Sequence, residues 1–147
     1  MERRIFISFF RLLPLGLLFG CNKSDKKIAE TKIGCIQDKI VKYFNQGKIE
    51  PINSFLDENF FFVDDRLSGD IEYFNKRLHR LYKYYKKKQL LPLEVIKEKR
   101  KALVLDDVSW IVSELKAHSQ SRIHGLLTQI FKRNGPDWKI IHHHFSS

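Results

Sequence analysis

Cysteine is scarce in this sequence, and its placement excludes two common frameworks. The only two cysteines, Cys21 and Cys35, lie near the N-terminus and have no histidines at the spacing of zinc ligands. They therefore predict neither a structural zinc site nor a disulfide-stabilised scaffold. Cys35 falls within a predicted helix, where we expect a small buried residue rather than a reactive thiol.

The sequence also lacks the short motifs of several large enzyme classes. It contains no glycine-rich phosphate loop, no serine in a nucleophile-elbow setting, and no cysteine pair for redox chemistry. These absences argue against a nucleotide-hydrolysing enzyme, a serine hydrolase and a thiol oxidoreductase. We expect no cofactor.

What the chain does contain is suited to a single basic domain. Its 147 residues are 43% hydrophobic, include 12 phenylalanines and carry a net charge of +10. This length fits one domain with a sizeable apolar core. Lysine is spread through the chain, with one dense run at 86–88, which indicates a solvated basic face that favours anionic surfaces.

The longest apolar stretch lies at the N-terminus and is typical of an export signal. It follows Arg3 and Arg4, is interrupted by Arg11 and Pro14, and is short for a membrane-spanning helix. Its last residues, 18–21, read Leu-Phe-Gly-Cys and resemble the lipobox of bacterial lipoproteins, which implies fatty acyl chains such as palmitate on Cys21. The alternative is an uncleaved N-terminal anchor.

Either interpretation predicts a protein of the bacterial cell envelope, held to a membrane on its extracytoplasmic side. The predicted organisation is a signal peptide at 1–20, a lipidated cysteine and polar tether at 21–27, and one domain at 28–147. Basic residues alternate with tyrosines at 77–88, a pattern known from nucleic-acid binding. An exported chain rarely meets nucleic acid, so we expect no such partner and favour contact with anionic headgroups.

Hydrophobic periodicity divides the domain into a helical half and a strand half. Helices are predicted at about 25–47, 51–57 and 71–86, with Asp70 or Ser68 capping the last, and a strand at 59–63. Four strand-like segments follow at 93–105, 108–118, 121–133 and 138–146, separated by turn residues. The order predicts an α+β domain that ends in an antiparallel meander.

The end of the chain resembles the SnoaL-like branch of the nuclear-transport-factor-2-like (NTF2-like) superfamily. The residues that carry the resemblance lie in the last two segments: 128–133, Gly135, Trp138, Ile140, Ile141, His142, His144 and Ser146. The resemblance implies a cone, in which a curved antiparallel sheet wraps around a long helix and leaves a pocket at its open end. Such domains often dimerise through the sheet, and they include isomerases, cyclases and non-catalytic binding or assembly modules.

Three consecutive histidines, 142–144, are the first candidate site. On a regular strand His142 and His144 would share a face with Trp138 and Ile140, and His143 would lie on the other face. A zinc site would need a third ligand such as His118 or His124, at no signature spacing, so we expect no metal. Packing within the sheet and contact of His142 and His144 with a ligand remain open.

The acidic turn at Asp64 and Asp65 is the second candidate. In the related ketosteroid isomerases an aspartate at a similar place shuttles a proton, which implies Asp64 or Asp65 with His142 as catalytic candidates. Here Arg66 follows, and an adjacent arginine favours the less basic, ionised carboxylate. A turn-forming and helix-capping role is the alternative.

A third group lies on the segment at 108–118, where Trp110 and Glu114 share one face. If that face is concave, both line the pocket as ligand contacts, whereas core packing is the alternative for Trp110. Taken together, the sequence favours a non-catalytic module that binds a small apolar ligand or assembles with itself or a partner. An acid–base enzyme is the competing hypothesis.

Overall fold

The computed structural model describes residues 23–64, 67–118 and 123–146, and it confirms an α+β domain with helices first and a meander last. The helices are α1 (Lys23–Asn45), a 3-10 helix (Glu50–Phe55), α2 (Ile71–Lys87) and a short 3-10 turn (Lys97–Lys99). The strands are β1 (Leu56–Asp64), β2 (Ser68–Gly69), β3 (Leu93–Val95), β4 (Lys101–Leu105), β5 (Val108–Ala117), β6 (Ile123–Asn134) and β7 (Asp137–Ser146). The predicted signal peptide and Cys21 lie outside the described residues.

Helix α1 is the long helix that the sheet surrounds. Ile33, Ile40 and Phe44 recur at helical spacing and are buried, so one stripe of the helix packs into the core. The helix begins at Lys23, so the polar residues predicted as a tether form its first exposed turns. Cys35 lies on the exposed side, and the prediction that it is buried is wrong.

Helix α2 begins at the predicted cap. The side chain of Asp70 accepts a hydrogen bond from the backbone N–H of Tyr73 at 3.0 Å, which satisfies a donor that the first turn leaves free. From there Phe74, Leu78 and Tyr85 form a buried stripe. The ring of Phe74 lies 4.9 Å from that of Phe60, which fixes α2 against β1.

The sheet is curved and unclosed, with strand order β2-β1-β7-β6-β5-β3 and with β4 paired to β5 beside β3. Strands β1 and β7 run parallel, and the other pairs are antiparallel. The segment predicted as one strand at 93–105 is two strands, because the 3-10 turn at Lys97–Lys99 interrupts it. The predicted final strand is confirmed and lies between β1 and β6.

A β-bulge in β7 changes which histidine faces the core. Ile130 of β6 pairs with His142, whereas the next residue, Phe131, pairs with Ile140, so Ile141 is an extra residue. One extra residue reverses the alternation of side chains beyond it. The predicted alternation is therefore wrong: His143 shares the buried face with Trp138 and Ile140, and His142 and His144 lie on the other face.

Within the described residues, no helix is long and apolar enough to cross a membrane.

Candidate functional site

A cavity lies at the open end of the sheet, between α1, α2 and the ends of β1 and β7. It consists of an inner chamber of ≈ 70 Å³ that adjoins an outer mouth of ≈ 380 Å³. The two spaces share six lining residues: Phe74, Leu78, Leu81, Tyr85, His143 and Phe145. The chamber is otherwise lined by aliphatic and aromatic side chains of α1, the first 3-10 helix and the sheet. The mouth has the size of a small-molecule site.

An ion pair forms the polar rim of the mouth. The guanidinium of Arg77 donates through Nε to Oδ2 of Asp64 at 2.7 Å, and the backbone N–H of Leu67 donates to Oδ1 at 2.9 Å. Both carboxylate oxygens are thus engaged by the protein, and the Asp64 side chain is only 13% exposed. The arginine and the backbone N–H both stabilise the charged form of this carboxylate. Asp65 lies outside the described residues.

His143 is the polar residue at the junction of the chamber and the mouth. Its ring is buried and packs 4.9 Å from the ring of Phe74. Burial lowers the pKa of His143 to about 3, because a charged imidazolium is poorly solvated there, and the charges of His142 and His144 act in the same direction. The imidazole is therefore neutral at physiological pH.

A chain of buried polar side chains connects His143 to the far side of α1. Oε1 of Gln37, on α1, accepts from the Ser113 hydroxyl, and its Nε2 donates to Oε1 of Gln129 at 3.2 Å. Nε2 of Gln129 lies 3.3 Å from Nδ1 of His143. At the other end, Arg100 donates through Nε to Ser113 at 3.3 Å and pairs through Nη2 with Asp38. This hydrogen-bond chain runs through the core. It gives partners to buried polar side chains that would otherwise be left without hydrogen bonds.

The predicted histidine contacts lie on the opposite side of the sheet from the cavity. His142 packs against Phe61 with ring centroids 4.9 Å apart, and it lines a surface groove rather than the mouth. His142 and Asp64 consequently do not converge, since Asp64 pairs in register with Phe145 on the cavity side. Of the catalytic candidates considered from sequence, Asp64 and His142 are therefore not brought together, and Asp65 lies outside the described residues.

Trp110 and Glu114 also point away from the cavity. The residues of β5 that face the core are Ser109, Ile111, Ser113, Leu115 and Ala117, so the intervening side chains lie on the outer face. Trp110 is 46% exposed, and Glu114 pairs with Lys99 at 3.0 Å. Their face of β5 is not the concave face of the sheet, so neither residue lines the pocket.

The outer face of the sheet instead carries an exposed apolar row, which we call the outer row. It runs across five strands through residues that are direct register partners: Leu103, Trp110, Ile130, His142 and Phe61. Leu105, Val108 and Leu126 flank it and are exposed as well.

The described side chains form no group of three His, Cys, Asp or Glu residues that could hold a metal ion. His118, considered as a zinc ligand from sequence, pairs with Glu94, with Nδ1 2.6 Å from Oε1. The side chain of His124 lies outside the described part of the chain.

Sequence reasoning missed His143, Gln37 and Gln129 as parts of the site. One signal was present: Gln37 occupies a position of the apolar stripe of α1, where a polar residue requires a buried partner. The role of His143 had no such signal, because it depends on the bulge.

Comparison with known proteins agrees with this geometry. The family model of the SnoaL-like domain matches residues 38–147, and the chain therefore belongs to that family, within the NTF2-like superfamily. No curated protein is similar enough in sequence to serve as a relative.

Solved structures share the fold at low identity. An NTF2-like protein of unknown function from Pseudomonas putida has a TM-score of 0.63 at 15% identity, over 82% of this chain and 87% of that one. A candidate dehydratase of the NTF2-like family from Streptomyces avermitilis has a TM-score of 0.61 at 13% sequence identity. The match covers 82% of this chain and 96% of that one. A candidate ketosteroid isomerase from Parabacteroides distasonis has a TM-score of 0.51 at 20% sequence identity. The match covers 78% of this chain and 83% of that one. These similarities show the fold alone.

Proposed function

We propose that this domain binds a small, mostly apolar molecule in the cavity and acts without catalysis. The observation that carries the proposal is the composition of the lining. The inner chamber is almost wholly aliphatic and aromatic, and the two charged groups of the described mouth lining, Asp64 and Arg77, are paired with each other. Apolar lining with few, fixed polar groups is the usual form of a small-molecule site.

An acid–base enzyme is the second candidate, because Asp64 and His143 line the same mouth. It is the weaker one. Both carboxylate oxygens of Asp64 are engaged, by Arg77 and by the backbone of Leu67, and His143 is neutral with a pKa of about 3, too low for a general base or acid near neutrality. Exchange of the α-protons of a bound ketone with D2O, abolished by Asp64→Asn, would favour the enzyme over the binding module.

Filling the mouth is expected to weaken binding. Leu81 lines both spaces and is half-buried, so Leu81→Trp places a larger ring in the volume that the ligand needs. We expect the affinity for N-phenyl-1-naphthylamine, an uncharged fluorescent probe, to fall at least about tenfold, as when a packed site is overfilled. Ile28→Trp, at an exposed position of α1 outside the cavity lining, is the matched control. Equal losses in both variants would contradict binding in this cavity.

We propose further that the chain is exported and held at a membrane by lipid on Cys21. The sequence features of residues 1–21 support this. The domain would then lie directly at the lipid surface. The exposed lysines of the first turns, Lys23, Lys26 and Lys27, would contact anionic headgroups.

Removing the acylated thiol is expected to release the protein. In the expressed full-length chain, Cys21→Ala should move most of the protein from the membrane fraction to the soluble fraction and abolish incorporation of labelled palmitate. Cys35→Ala is the control, because Cys35 is exposed but lies within α1. Labelling that persists in Cys21→Ala, or that is lost in Cys35→Ala, would contradict the assignment.

We propose finally that two copies of the chain associate through the outer row. Its exposed apolar side chains, Leu103, Trp110 and Phe61, come from three strands, and half-buried Ile130 and His142 lie between them. A continuous face of this kind suits an isologous contact, in which the same surface is buried on both copies.

A further inference from the structure

The buried hydrogen-bond chain gives the hydroxyl proton of Ser113 an acceptor in one direction only. Arg100 carries donors only, so the hydroxyl oxygen of Ser113 must accept from it, and the one proton of Ser113 is left to donate. That proton goes to Oε1 of Gln37, which turns the amide nitrogen of Gln37 toward Oε1 of Gln129. With both amides reversed, Gln37 would donate to Ser113, and the hydroxyl proton of Ser113 would have no acceptor in the hydrogen-bond chain.

The donor-to-acceptor direction of the hydrogen-bond chain determines the tautomer of His143. With its oxygen occupied by Gln37, Gln129 presents its Nε2–H to Nδ1 of His143. A neutral imidazole has one accepting and one donating nitrogen, so Nδ1 accepts and the proton resides on Nε2. The Nε2–H group is the remaining polar atom of a ring that lines both the chamber and the mouth.

From this arrangement we infer that His143 selects the ligand by donating its Nε2–H to an uncharged acceptor oxygen, such as the carbonyl of a ketone, aldehyde or ester. The inference rests on the proposed binding function and specifies the chemical class of the ligand. A hydrocarbon leaves the donor unmatched, and burial of an unmatched polar group is costly. A charged ligand is disfavoured as well, because the charge of Arg77 is already balanced by Asp64.

Two isosteric probes test the selection. 2-Acetylnaphthalene has a carbonyl oxygen where 2-isopropenylnaphthalene has a CH2 group, so the pair differs in one acceptor. We expect the ratio of the two affinities, ketone over alkene, to fall about tenfold in His143→Leu relative to wild type, which is the effect of one buried hydrogen bond. His143→Gln can still accept from Gln129 and donate to the ligand, and it is expected to keep most of the wild-type ratio.

A second measurement needs no variant. The 15N chemical shifts of His143 in the wild-type protein are expected to show a protonated Nε2 and an unprotonated Nδ1 at neutral pH, with the Nε2–H resonance shifting when the ketone is added but not the alkene. A ring protonated on Nδ1, or an affinity ratio unchanged in His143→Leu, overturns this inference and leaves the binding function standing. If neither probe binds the wild-type protein, both this inference and the proposed binding function are overturned.

Discussion

Trp110→Glu is expected to dissociate the protein into monomers in sedimentation equilibrium, with the dimer dissociation constant raised at least about 100-fold. Tryptophan at the centre of an interface commonly contributes 2 kcal/mol or more. In an isologous contact each substitution is present twice. A carboxylate buried there adds a desolvation cost.

Trp110 lies near the middle of the outer row, and its side chain faces away from the core. It lies between its register partners Leu103 and Ile130 within the outer row, and the row continues through His142 to Phe61, which is 49% exposed. Its side chain points away from the core, so the substitution does not alter the residues that pack on α1. We therefore expect the thermal stability of the monomer to change little.

Tyr84→Glu provides the matched control. Tyr84 is an aromatic residue of α2 with 53% exposure, close to the 46% of Trp110, and it does not belong to the outer row. The same change at Tyr84 should leave the association constant unaltered. A wild-type protein that remains monomeric at high concentration, or equal effects at the two positions, would contradict association through this face.

The helices and strands were predictable because their signals are local. The spacing of Ile33, Ile40 and Phe44 specifies a helix, and Asp70 marks the start of α2 through its own side chain. The final strand was predictable for the same reason. The interruption at Lys97–Lys99 was not, since those charged residues break a strand only because β3 and β4 pair with different parts of β5.

The candidate site was largely unpredictable because it depends on register. The three histidines at 142–144 are equivalent in sequence, and the extra residue at Ile141 decides which of them enters the core. Likewise, the face of Trp110 depends on which side of β5 meets α1. The hydrogen-bond chain that determines the tautomer of His143 joins residues that are distant in sequence, such as Gln37 and Gln129. No local sequence pattern predicts that they lie together.

The second large effect is a dependence of stability on pH that originates at His143. Its pKa is about 3 in the folded protein, because the ring is buried, against an ordinary value of 6.5. Between these values the unfolded chain binds a proton that the folded chain does not. The free energy of unfolding therefore rises with pH in this window: the contribution is complete above about pH 6.5 and is lost progressively as the pH falls toward 3.

Urea unfolding measured between about pH 5 and pH 6.5 is expected to show this loss as roughly 1 to 2 kcal/mol. Two carboxyl groups with shifted pKa titrate below that range. Glu50 has a lowered pKa through a backbone hydrogen bond, and Glu94 has one through His118. His142 adds a contribution of the same sign, because partial burial and then the charge of His144 lower its pKa.

His143→Gln isolates the contribution of the buried ring. It lacks a titrating group yet keeps an acceptor for Gln129, so its unfolding free energy should depend much less on pH in this range, whatever its absolute stability. Thr31→Gln, at an exposed position of α1, changes no titrating group and should retain the wild-type slope. An unchanged slope in His143→Gln would mean that the folded protein protonates His143 as readily as the unfolded chain does. A ring that charges so readily would not stay a neutral acceptor for Gln129, and the tautomer that the buried chain specifies would be lost with it.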